Sequence, residues 1–291
     1  MSSTVFKLKL GQVLRYLVPV YAVYGFAVLL PLCIAFIYSF YNDAGSTFVG
    51  VQQYVKLVQD SNFWISFKNN MVVVVICVIG QVGIAFVIAT LLQTKFLKMR
   101  ALHRVAIFLP VVLAPVVTGY LWSLIYNYRF GILNWFLGVL GKEPALWLDS
   151  PGTVIYAVSI PLVWQYVGLY LIIFLAGMQN ISSDIHDAVE IDGASWIQKT
   201  IHVTLPLLKG VMQVALLLCV SGTMKTFDHI FVMTGGGPGT NSMVMAQYAY
   251  DNAFVMSRLG YASTISIGMI VLSTIVVSLV VKLTGGGLRN E

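Results

Sequence analysis

The sequence predicts an all-α fold, a polytopic bundle of membrane-spanning helices, and three observations predict it. Apolar residues make up 58% of the chain against 10% charged, and mean hydropathy is +0.86, which leaves too little charge to cover a soluble domain. The apolar residues fall in separate runs of about 20, the length at which a helix crosses a hydrocarbon core of roughly 30 Å. No segment alternates polar and apolar over about 10 residues, as the strands of a membrane barrel would. Cys33, Cys77 and Cys219 each stand alone in an apolar run, with neither metal-ligand spacing nor a disulfide framework. The net charge of +6 comes from Lys and Arg in short loops beside the apolar runs. Without aromatic interleaving this is a mark of topology, and no nucleic-acid partner is expected.

The first run, 17–41, follows Lys7, Lys9 and Arg15. It is too long and too aromatic for a signal peptide, whose apolar core is about 7–15 residues, and reads as a span leaving the N-terminus in the cytoplasm. Residues 42–68 place Phe48, Tyr54, Leu57, Val58 and Trp64 at roughly helical spacing, predicting a short amphipathic helix on the outer surface. The second span, 70–92, is followed by Lys95, Lys98, Arg100 and Arg104, a cytoplasmic loop by the positive-inside rule. The third, 105–126, carries Pro110 and Pro115, which a membrane helix accepts where neighbours satisfy the freed carbonyls. An outer loop, 127–152, with Trp135 and Trp147, predicts a short interfacial helix before the fourth span at 153–178. The fifth span, 207–233, loses apolar character in SGTMKTFDH; a Gly-rich turn, TGGGPGTNS, lies outside, and the sixth span is 261–283. This topology puts eleven Lys and Arg inside and five outside, with Lys225 inside the fifth span, so both termini are expected in the cytoplasm. An unpaired charge in a span is costly, and Lys225 is expected to pair with Asp228, three residues on. No long linker or repeat divides the chain, and residues 1–291 read as one membrane domain.

Catalytic signatures are missing: the sequence has no GxxxxGK[ST], HExxH, CxxC or GxSxG. The Gly-rich turn lacks the Lys of a phosphate loop, and His103, His186, His202 and His229 show no metal spacing. The chain is therefore not expected to be an enzyme or to hold a metal or cofactor. One polar segment stands apart. Residues 184–206, between the fourth and fifth spans, gather Asp184, Asp187, Glu190 and Asp192, four of the eleven acids in the whole chain. Ile185, Ala188, Val189 and Ile191 would share one side of a short helix while the acids project elsewhere. Gly193 allows a bend, and Trp196, Ile197, Ile201, Val203 and Leu205 recur at helical spacing until Pro206, expected to restart the chain as the fifth span.

Asp187-Ala188-Val189, then Gly193, then Val203, Leu205 and Pro206 follow the pattern EAA, three residues, Gly, nine residues, Ile, one residue, Leu-Pro. On these residues the chain resembles the permease subunits of bacterial ABC importers, with Asp for Glu, Val for Ala and Val for Ile as its departures. FVGVQQYVKLV, FDHIFVMTGGGPGT and RLGYASTISI are similar to the carbohydrate-uptake branch, and TGGGP to its maltose-type first permease. The resemblance implies a second permease subunit, a cytoplasmic ATPase dimer carrying ATP and magnesium, and an external solute-binding protein, with this chain in the cytoplasmic (inner) membrane. It also implies that Asp187, Ala188, Glu190, Asp192, Gly193, Ala194, Leu205 and Pro206 couple the permease to the ATPase.

A solute path needs polar and aromatic groups inside the spans, flat rings for the apolar face of a sugar and amides or hydroxyls for its polar edge. Thr118 and Tyr120 on the third span, Trp164, Gln165 and Tyr166 on the fourth, and Ser221, Thr223 and Thr226 on the fifth are the candidates. The alternatives are a permease for another small solute, such as a glycerol phosphodiester, and a six-helix channel or secondary transporter. The first would want more basic residues in the path than Lys225, the second its own ion-coupling charges.

Overall fold

Helix formation follows the apolar runs. The computed structural model describes residues 10–94 and 98–284, and apart from a bridge between Tyr41 and Phe48 every regular element among the described residues is helical. In chain order these are α1 (10–38, with a π turn at Gly25–Leu29), α2 (Gln52–Gln59), α3 (Ser61–Gln93), α4 (Arg100–Val112), α5 (Pro115–Ile125), α6 (Ile132–Val139) and α7 (Val154–Gln179). They continue as α8 (Ser183–Ile191), α9 (Trp196–Leu207), α10 (Lys209–Thr223), α11 (Asp228–Met233), α12 (245–255) and α13 (Leu259–Thr284). Four helices are long and apolar enough to cross a membrane, and the two bent pairs α4–α5 and α9–α10 bring the number of candidate spans to as many as six. Lys7, Lys9, Lys95 and Arg289, used above to set topology, lie outside the described residues.

The described residues divide into two compact units, one of residues up to 59 with 249–268, the other of 60–248 with residues from 269 on. In the first, the turn after α1 is tied by Asn42, whose Oδ1 accepts from the Ser46 N–H at 2.9 Å, and closed at Gly45 in a left-handed conformation (φ 73°). Thr264 of α13 donates to the Ser39 carbonyl at 3.0 Å. A Cβ at Gly260 would stand 2.1 Å from the Asn42 carbonyl oxygen, so α13 meets this turn backbone to backbone. Asp43 takes both a salt bridge from Lys56 at 3.0 Å and a hydrogen bond from Gln53 at 2.9 Å.

The second unit is built around α7. Its buried core runs from Val73 to Val244 and includes Leu171, Phe174 and Met178 of α7. Two glycines set the distances. A Cβ at Gly168 would come within 2.3 Å of the Ile107 carbonyl oxygen of α4, and one at Gly177 within 2.8 Å of Val211 of α10. Small residues at such crossings let membrane helices pack closely where lipid supplies no hydrophobic drive between them.

Four boundaries differ from the sequence expectation, each for a physical reason. The surface helix expected across 42–68 is confined to α2: Asp60 Oδ1 accepts from the Asn62 N–H at 2.9 Å and so starts α3, which claims Trp64. The third span breaks at Leu113 and Ala114, both extended, with a bend of 101°. Pro115 forces this, because a residue before proline avoids the helical region and proline itself suits the first helical position; Pro110 sits inside a 3-10 turn without breaking it. The α9–α10 bend of 76° falls at Leu208, two residues after Pro206, and the π turn at Thr200–Thr204 just before that proline ends with the Leu205 N–H donating to the Thr200 carbonyl. Finally, α10 ends at Thr223 and the chain is unwound up to Asp228, so the helical spacing that would pair Lys225 with Asp228 is lost. No ion pair joins these two exposed residues.

Candidate functional site

The segment between α7 and α10 is a helix, a two-ended turn and a second helix. Its turn is chemically complete. Gly193 adopts φ 69°, and the Ala194 N–H reaches back to the Val189 carbonyl at 3.3 Å, the six-to-one bond with which a helix closes on a left-handed residue. Two residues later Ser195 opens α9 with a capping box: its hydroxyl accepts from the Gln198 N–H while the Gln198 side chain accepts from the Ser195 N–H at 2.8 Å. A Cβ at Gly193 would meet nothing, so backbone conformation alone selects glycine there.

Of the predicted coupling residues, Asp187, Ala188 and Asp192 are exposed on α8 and the turn, Ala194 is half-buried, and Leu205 and Pro206 are exposed near the end of α9. Asp187 and Ala194 border a cavity of about 870 Å³ that the C-terminal ends of α3 and α7 also line. The side chains of Glu190 and His186 lie outside the described residues. Among the described residues the apolar side of α8 is only partly covered: Ile191 is 85% exposed and Ile185 36%, while Val189 is half-buried. A short amphipathic helix with part of its apolar side exposed is a shape that a partner surface can receive.

The predicted path residues separate into two groups. Thr118 and Gln165 are fully buried and joined, Thr118 Oγ1 donating to Gln165 Oε1 at 2.8 Å, and Gln165 Nε2 donating to the Leu113 carbonyl at 2.8 Å. That carbonyl is one freed by the break between α4 and α5, so the amide of α7 supplies the bond the backbone lost. His229 of α11 completes the node, its Nε2 3.0 Å from Thr118 Oγ1, with the Tyr166 ring edge-on to the imidazole at 6.5 Å. Thr223 is also buried, and its carbonyl accepts from Asn70 Nδ2 at 3.3 Å. By contrast Tyr120 is 64% exposed and Trp164 39%, the latter against Trp122 at 6.0 Å, while Tyr166, Ser221 and Thr226 are half-buried.

Sequence reasoning missed His229 and the Asn69–Asn70 pair. Asn69 Nδ2 donates to the Thr240 and Met243 carbonyls at 2.9 Å each, and Asn70 Oδ1 accepts from the Met245 N–H at 2.8 Å, so α3 clamps the end of the Gly-rich loop. A single polar residue in an apolar helix has no periodic signal, and only the fold brings these to their partners. The capping box was missed as well, although Ser195-x-x-Gln198 carries its signature in the sequence.

Residues 85–284 match the family described as the binding-protein-dependent transport system inner membrane component. The chain is 33% identical over 265 residues to the trehalose/maltose transport system permease protein MalF of Thermococcus litoralis, covering 89% of this chain and 88% of the relative. It is 32% identical over 230 residues to the probable ABC transporter permease protein YurN of Bacillus subtilis, covering 78% and 79%. The fold is similar to that of a chain in a bacterial ABC transporter that imports the acidic polysaccharide alginate, with TM-score 0.85, 17% identity and coverage of 95% and 96%. A second structure of an alginate transporter, in complex with its periplasmic protein, matches with TM-score 0.82 and 19% identity over 94% and 93%. Bent spans, a bare amphipathic loop and a sequence match over two thirds of the chain converge on one conclusion: this protein belongs to the inner-membrane permease components of binding-protein-dependent ABC transporters.

Proposed function

We propose that this permease forms one half of the translocation path for a sugar or oligosaccharide, the other half coming from a second, related permease subunit. In this family ATP is hydrolysed on separate subunits, and the permease binds no cofactor of its own. The solute class rests on relatives named for trehalose and maltose, arabinooligosaccharides and multiple sugars. All six candidate spans cross the membrane in a single domain of residues 1–291, with both termini and the α8–α9 loop in the cytoplasm, as the distribution of Lys and Arg favours.

The α8–α9 loop is the docking element for an ATPase dimer, and the observation that carries this is the bare Ile185 and Ile191 beside Asp187, on a helix ended by a glycine turn. Asp187, Ala188, Glu190, Asp192, Gly193 and Ala194 form the contact and its bend; Leu205 and Pro206 pass the motion to α10 through the Leu208 bend. Coupling of this kind needs a stiff element that both partners bias more than it needs a large binding energy. Along the path, Tyr120, Trp164, Tyr166, Ser221 and Thr226 offer rings and hydroxyls to the sugar, while Thr118, Gln165 and Thr223 hold the broken spans behind them. Solute arrives from an external solute-binding protein.

Affinity purification of the tagged full chain from its native membrane tests the assembly. An ATPase subunit and a second permease should accompany it, and a stable homo-oligomer lacking both would overturn the proposal.

A further inference from the structure

The cavity of about 870 Å³ behind the α8–α9 loop is lined by more than the coupling residues. Arg100 and Arg104, one helical turn apart on α4, and Lys199 of α9 border it, beside the carboxylate of Asp187, the only one among its described lining side chains. Arg100 is set in the wall by its Nη2, which donates to the Thr94 carbonyl at 2.7 Å. Arg104 is different: its Nε is buried and has no hydrogen-bond partner. A guanidinium nitrogen removed from water without an acceptor is costly, and none of the described residues supplies one, so an acceptor from outside them is what the position calls for. The N-terminal end of α4 adds the positive end of its dipole, and Met99 before it brings no side-chain acceptor.

The other walls narrow the ligand. Leu92, Met178, Ile181 and Trp196 give the cavity apolar surface beside hydroxyls of Ser183 and Thr200. It is lined by the ends of two helices of membrane-crossing length, α3 at Gln93 and α7 at Gln179, and the ends of such helices meet headgroups when the helices span a bilayer. The Arg104 guanidinium suits a phosphate, whose oxygens accept paired N–H bonds, with the charges of Arg100 and Lys199 beside it, and the apolar wall suits the glycerol and first methylenes of a lipid. Basic pockets between membrane helices take anionic headgroups by the same chemistry.

We propose that this cavity is a phosphate-binding site that takes the headgroup of an anionic phospholipid, with Arg104 as its principal ligand and Arg100 and Lys199 in support. Occupied, it ties α4 to α9 behind the loop. The site stands on the geometry of this chain alone, and failure of the ATPase assignment would leave it intact.

The test uses the full chain in nanodiscs of phosphatidylcholine with phosphatidylglycerol, read by native mass spectrometry of the released protein. The unaltered chain should retain phosphatidylglycerol over phosphatidylcholine, and Arg104→Ala should weaken that retention by about tenfold or more. Arg104→Lys, which keeps charge but loses the fork, should fall between them, and Lys142→Ala, outside the cavity, should bind as the unaltered chain does. A parallel titration with inorganic phosphate separates the sources: competition with the lipid supports the site, and phosphate binding with no lipid preference assigns it to the free anion. Equal retention by the unaltered chain and a monodisperse Arg104→Ala variant would overturn the proposal. So would a variant that sheds a protein partner while its lipid retention is unchanged.

Discussion

At the scale of single residues, the structure separates positions where glycine is needed for space from those, such as Gly193, where it is needed for conformation. Gly168 lies against the Ile107 and Phe108 backbone of α4, and neither can yield as a side chain can. Gly168→Ala should therefore destabilise the protein by about 1–3 kcal/mol, seen as a lower unfolding temperature in detergent, because the α4–α7 crossing must widen. Thr118 is a second test. Thr118→Val keeps the shape but leaves Gln165 Oε1 and His229 Nε2 short of a partner inside the protein, and should cost about 1–3 kcal/mol. Ser221→Ala, at a half-buried position, should stay within about 0.5 kcal/mol of the unaltered protein in the same assay. Asp43 gives a pH dependence. Burial raises its carboxyl, but hydrogen bonds from Lys56 and Gln53 and the charges of Lys56 and Arg258 outweigh this and hold it below its ordinary value. A lowered folded-state value makes the contribution present above the unfolded carboxylate range, near about pH 4, and lost as pH falls through the folded value. Melting temperature should drop in that acid window, and Asp43→Asn should flatten the drop; solvent screening at a carboxylate 39% exposed keeps the effect small.

At the scale of elements, the apolar runs announced α1, α3, α7 and α13, because a stretch of about 20 apolar residues has few other uses. The glycine turn at Gly193 was legible too. The breaks were read less well, since a proline is visible in sequence but its consequence depends on the residue before it. Pro115 follows Ala114, which turns extended and breaks the span, whereas Pro110 and Pro206 follow residues that stay helical. The buried node was only half legible: Thr118 and Gln165 stood out as polar residues in spans, but their partner His229 and the freed carbonyl of Leu113 come from elements whose meeting is tertiary. Ser195 sets the phase of α9. Ser195→Ala removes the capping box and should cost that helix about 1 kcal/mol, measurable as faster amide exchange in α9 with the long spans unaffected.

At the scale of the whole molecule, the described residues form long spans interrupted at a few defined bends, and the loop between α7 and α10 carries an amphipathic helix whose apolar Ile185 and Ile191 are exposed. The sequence family places the chain among the permeases of binding-protein-dependent ABC transporters, and its fold is similar to that of a chain in an alginate transporter. Under the proposed coupling role, a force applied to α8 would reach the broken spans through α9, the Leu208 bend and α10, which approaches α7 closely at Gly177. Gly193 is a point at which the loop can be altered, since a Cβ there meets no atom within 4 Å and the substitution costs backbone strain of about 1–2 kcal/mol. The most direct test is sugar uptake and ATP hydrolysis by the co-purified complex in proteoliposomes, compared between the unaltered protein and Gly193→Val. The variant should assemble with its ATPase and hydrolyse ATP while uptake is lost; unchanged uptake would contradict the coupling role of the loop.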